Sequence, residues 1–93
     1  MEIYKNQLID NVNKIYTTDL GVLRIKKNLS IENKDVVELC KQCILDDTSI
    51  VEKIGKNYYV YWNNYKFTVN SSSYTIITGH KIKNWDLAFK NKS

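Results

Sequence analysis

Ninety-three residues with 43% hydrophobic and 26% charged side chains and eleven aromatics are enough for one folded domain with one core, and exclude both two domains and a disordered chain. No apolar run approaches a bilayer span, and Met1 is followed by Glu2 and an amphipathic pattern rather than a secretory signal. Cys40 and Cys43 are too few for a disulfide framework, so the chain is expected in the reducing cytoplasm, off the membrane.

The net charge of +4 is unevenly spread: residues 1–52 carry seven basic and nine acidic side chains, residues 53–93 seven basic and one acidic. A basic second half favours phosphate-bearing partners through counterion release, and equally describes a solvated basic surface.

The apolar residues Tyr4, Leu8, Val12 and Ile15 recur at helical spacing, with Lys5, Asn6, Asp10 and Asn13 between them, and predict an amphipathic helix over 2–16. Thr18 or Asp19 can cap a second helix with Val22, Ile25 and Leu29 inward and Arg24, Lys27 and Asn28 on a basic edge. Asp35 can cap a third, with Val36, Val37, Leu39, Cys40, Cys43 and Ile44 inward, ending near Asp46 and Asp47.

From residue 49 the period changes to two, which predicts strands over 49–54, 57–62, 65–70 and 73–80. Gly55-Lys56 and Asn63-Asn64 suit tight hairpin turns, and Ser71-Ser72 joins the last pair. The Asn63-Asn64 turn pairs Trp62 with Tyr65, Val60 with Phe67 and Tyr58 with Val69 on the core side. The other side then carries Tyr59, Tyr61, Lys66, Thr68 and Asn70. The last strand has two registers, because Ile76 and Ile77 are both apolar; Thr78 and His80 share a face in either. Ile82, Trp85 and Phe89 keep helical spacing and predict a short C-terminal helix. The whole is an α+β domain, two or three helices on a four-stranded antiparallel sheet.

Cys40-Lys41-Gln42-Cys43 has C-x-x-C spacing, but it falls inside a helix at core positions and not where a strand enters a helix, so it reads as core. Neither Gly55-Lys56 nor Thr78-Gly79-His80-Lys81 belongs to a nucleotide-binding glycine pattern, and no cofactor or metal is implied. The stretch from Ser73 through Thr75 and Thr78 to His80 and Lys81 concentrates hydroxyls, the sole histidine and a lysine. Such a strand is often structural. Its chemical alternative is phosphodiester transfer without metal: a ribose 2′-hydroxyl attacks the adjacent phosphate, with His80 as base or acid. Arg24, Lys66 or Lys81 would hold the phosphate and Thr75 and Thr78 would bond its oxygens, with Ser73 a further hydroxyl for the substrate. Tyr59 and Tyr61 would stack splayed bases of single-stranded RNA, or alternatively pack beneath a helix. On this reading Arg24, Thr78 and His80 converge at one sheet edge.

Residues 17–29 (TTDLGVLRIKKNL), 55–60 (GKNYYV) and 68–81 (TVNSSSYTIITGHK) together resemble a short bacterial family known as domain of unknown function 3781, over roughly residues 15–81. Its pattern commonly has His where this chain has Tyr16 and Ala where it has Gly79; the first departure removes an acid or base. The order of helices and strands is similar in layout to the small metal-free ribonucleases of barnase-like, colicin-like and RelE-like toxins. The resemblance implies an RNA-directed protein, an endoribonuclease if it is catalytic. The alternative is a non-catalytic binding module with a protein partner: a phage inhibitor of host defence or an antitoxin-like protein. A third is an oligomerising protein that uses Tyr59 and Tyr61 at its interface.

Overall fold

The computed structural model describes residues 3–82; the C-terminal helix expected around Trp85 and Phe89 lies outside them. Among the described residues the order is α1 (Ile3–Asp10), a 3₁₀ turn (Val12–Lys14), α2 (Asp19–Leu29), α3 (Val36–Leu45), then β1 (Ile50–Ile54), β2 (Asn57–Trp62), β3 (Tyr65–Asn70) and β4 (Ile76–Lys81). The four strands form one antiparallel sheet in sequential order, an α+β layout. No described helix is long and apolar enough to cross a membrane.

Helix ends follow local chemistry. Thr18 caps α2 by accepting from the Gly21 N–H at 3.0 Å, and Asp35 caps α3 by accepting from the Val37 and Glu38 N–H groups. α2 closes on Ser30, held in the left-handed region at φ 57°, with Lys26 and Lys27 in its last turn where cations suit the helix dipole.

The first helix is shorter than its apolar spacing predicts. The Asn11 side chain donates to the Gln7 carbonyl at 2.8 Å, and the backbone tightens into the 3₁₀ turn. That turn still buries Ile15 but leaves the chain extended, so that Tyr16 forms a parallel bridge with Thr75. The Thr17 hydroxyl adds a bond to the Ile76 carbonyl at 2.9 Å. Docking on the sheet therefore overrides two further helical turns.

Val60 pairs with Phe67, Tyr58 with Val69 and Trp62 with Tyr65, as the Asn63-Asn64 turn requires. Asn63 adopts φ 52° and Gly55 φ 61°, the left-handed conformations that tight turns demand. Tyr58, Val60, Phe67, Val69 and Ile76 are buried on one face with Ile25, Leu29, Leu39, Cys40, Cys43 and Ile44 from the helices, while Trp62 and Tyr65 are half-buried at the margin. α2 presses closely on β4: a Cβ on Gly79 would come within 2.8 Å of the Phe67 ring and 3.2 Å of Ile25 Cγ2. The pairing shifts between Thr68 and Val69, so Ile77 is an extra residue in β4 and stands half exposed, and Ile76 takes the core position.

Lys5, expected on the solvated side of the first helix, is buried instead. Its ammonium donates to the Asp46 carbonyl at 2.6 Å and the Ser49 carbonyl at 2.9 Å, neutralising the C-terminal end of α3 where the chain turns into β1. Lys5→Met keeps the apolar stem and orphans both carbonyls. Loss of charged hydrogen bonds of this kind costs about 2 kcal/mol, which corresponds to a Tm lower by roughly 10 °C in thermal unfolding.

The same turn contains a titrating group. The Asp46 carboxylate accepts from the Thr48 hydroxyl and backbone N–H, at 2.6 and 2.8 Å, and from Trp62, and these bonds hold its pKa below the usual carboxylate value. A depressed folded value means that its contribution is complete above the unfolded pKa of about 4 and is lost as pH falls through the folded one. Replacing Asp46 by Asn should therefore shrink the drop in Tm between neutral pH and about pH 3.

Candidate nucleic-acid interface

Strand alternation builds the second sheet face in rows. Across β1 to β4 one row reads Ile50, Tyr61, Lys66, His80, and the next Glu52, Tyr59, Thr68, Thr78. The Lys66 ammonium lies 5.0 Å from the centroid of the Tyr59 ring and 5.5 Å from that of Tyr61, so cation–π attraction holds it over both. His80 is the cross-strand partner of Lys66, and Thr78 that of Thr68. Tyr59, Tyr61, Lys66, Thr78 and His80 are half-buried and Thr68 is buried.

The face grades from acid on β1, through aromatics on β2, to cation, hydroxyl and imidazole on β3 and β4. The Tyr61 phenol is pushed above its ordinary pKa, first by burial and then by the Glu52 and Tyr59 charges, so it remains a neutral hydrogen-bond donor through the physiological range. Glu52 did not figure among the residues expected here. Its place follows from the Gly55-Lys56 turn, which sets Ile54 opposite Asn57 and hence Glu52 opposite Tyr59. Three strand spacings, about 14 Å, separate Glu52 from Thr78 in its own row, and His80 lies two residues further along β4, too far for Glu52 and His80 to act on one phosphate.

The remaining expected residues are dispersed. Arg24 is exposed on α2, in the helical layer that packs on the core face, whereas Thr78 and His80 belong to the second face. Lys81 pairs with Tyr65, which aligns it with the core-side residues, where it is exposed. The register thus gathers Thr78 and His80 with Lys66 and the tyrosines, and sets Arg24 and Lys81 apart from them.

Ser73 and Thr75 precede β4 in a self-contained loop. Asn70 Oδ1 accepts from the Ser72 and Ser73 N–H groups and from the Ser73 hydroxyl, which shares a 2.9 Å hydrogen bond with the Thr75 hydroxyl. Tyr74 sits at φ 60°, a conformation unusual for an aromatic residue; its carbonyl accepts from the Tyr16 N–H. These hydroxyls brace the loop that receives the Tyr16 segment. Tyr16 itself meets Thr75, five residues from His80 and roughly 16 Å along an extended strand, so it is not a partner for the imidazole.

Both thiols are buried. Burial, with the neighbouring Cys43, pushes Cys40 well above its ordinary pKa, and burial, with the Asp46 charge, pushes Cys43 up to about 12. Among the described residues no group of three or more His, Cys, Asp or Glu side chains is arranged to hold a metal ion.

Residues 9–80 match the family described as "Protein of unknown function (DUF3781)", and the chain belongs to that family. No curated protein and no solved structure matches it.

Neutral, buried thiols should resist iodoacetamide at about pH 8 in the native protein and react only after unfolding in guanidinium, as mass spectrometry would record. Rapid native alkylation, or stoichiometric zinc lost on replacing either cysteine, would contradict their role as core residues.

Proposed function

We propose that this chain is an RNA-directed protein and that its second sheet face holds a single-stranded segment. The observation that carries the reading is the joint placement of Tyr59, Tyr61, Lys66, Thr78 and His80 on that face, with Lys66 held over both rings. Aromatic stacking accommodates any base, and a fixed ammonium beside hydroxyl and imidazole donors suits a phosphate on the β3–β4 side. The Glu52 carboxylate, across from Tyr59, repels phosphate from the β1 side. Bases toward β1 and β2 with backbone toward β3 and β4 is therefore the favoured orientation.

The catalytic form of this reading is a metal-free endoribonuclease of the toxin-like kind. His80 would take the 2′-hydroxyl proton, Lys66 would balance charge on the phosphorane and Thr78 would bond a non-bridging oxygen. Acid catalysis at the leaving oxygen needs a second group. The separation of Glu52 from His80 favours a second reading, a non-catalytic binding module acting as an inhibitor or antitoxin-like partner.

The two readings share a test. Oligoribonucleotide binding, followed by fluorescence anisotropy, should weaken with rising salt, and Lys66→Ala should lower the salt slope by about one contact. Tyr61→Ala should cost about 1–3 kcal/mol of affinity for every sequence alike. Cleavage of a labelled oligoribonucleotide that disappears in His80→Ala would establish catalysis, and binding without cleavage a non-catalytic RNA-binding protein. No RNA binding at low salt would refute an RNA partner.

A further inference from the structure

α2 has a second apolar feature that the core does not use. It buries Ile25 and Leu29 and half-buries Val22, yet Leu20 and Leu23, three positions apart, are 58% and 66% exposed. Arg24 and Lys27, each four positions beyond one of these leucines, are exposed as well, so a leucine pair runs into a cation pair along one strip. Tyr16, 49% exposed, lies just before the helix. Lys26, half-buried, lies off this strip beside Glu32 and Asp35, and the single acid of α2, Asp19, sits in the first turn, where it serves the helix dipole.

We propose that this strip docks an acidic amphipathic helix of a partner protein. The partner's apolar side chains would seat on Leu20 and Leu23, and its carboxylates would meet Arg24 and Lys27. Charge selects this occupant: the exposed Arg24 and Lys27 in line with the leucines repel a second copy of the same strip and attract an acidic one. Area agrees, because two leucines and one tyrosine offer roughly a few hundred Å², well short of a stable homodimer but suited to one short helix. The inference does not depend on the RNA reading, since the strip belongs to the helical layer and Tyr61 and Lys66 to the opposite face of the sheet.

The test is a display selection with the full chain as bait and a library of helical peptides randomised for charge of both signs. The enriched peptides should be acidic and amphipathic, and the double variant Leu20→Ser, Leu23→Ser should bind them at least about tenfold more weakly. Arg24→Glu with Lys27→Glu should turn the selection toward basic peptides. Because all four side chains are exposed, unchanged thermal melting would show that each variant folds. Enrichment without acidic bias, or binding that survives the leucine changes, would overturn the proposal. So would leucine-dependent self-association in size-exclusion chromatography, or leucine-dependent adsorption to phosphatidylglycerol vesicles with no peptide selected.

Discussion

The pairing register of β2 with β3 is the constraint on which the molecule depends. A side-chain period of two means that a slip of β3 by one residue against β2 would exchange Phe67 and Val69 for Lys66 and Thr68 beneath the helices. An ammonium would then lie in the core, and Phe67, now fully buried and worth about 2–3 kcal/mol there, would face outward. Asn63, by accepting a left-handed backbone, closes the turn that holds the pairing. The core and the proposed ligand face are two consequences of one alignment.

Where local chemistry decides, the sequence is legible. The Thr18 and Asp35 caps, the inward residues of α3 and the β2–β3 pairs all follow from neighbours within a few positions. Lys5 is different, because its carbonyl partners stand 41 and 44 residues away and belong to a turn that exists only after α3 has packed. Helical spacing around Lys5 describes a solvated side, and tertiary structure overrules it. The early end of α1 has the same origin: residues 12–16 leave the helix because β4 offers Tyr16 a backbone partner.

The candidate site was legible to the same degree. Tyr59, Tyr61 and Lys66 share a face by alternation, and Thr78 and His80 join them because β4 pairs antiparallel with β3. The hydroxyl-rich stretch was less transparent. Read as one strand it runs unbroken from Ser73 to His80, but Asn70 gathers Ser72 and Ser73 into a turn, and β4 begins only at Ile76. Side-chain-to-backbone bonds compete with strand pairing, and composition alone does not reveal which prevails. Arg24 required knowledge of which side of the sheet the helices cover.

The extra residue at Ile77 bears on assembly. β1 and β4 are the outer strands, and an unblocked outer strand invites another chain to add to it. A bulge in β4 interrupts the regular spacing of donors and acceptors, and the Tyr16 segment occupies part of the same border. On β1, Glu52 and Lys53 place opposite charges side by side where an incoming strand would need neutral, flat backbone. Both borders thus carry features that discourage the addition of a further strand beside an aromatic, hydrogen-bonding sheet surface.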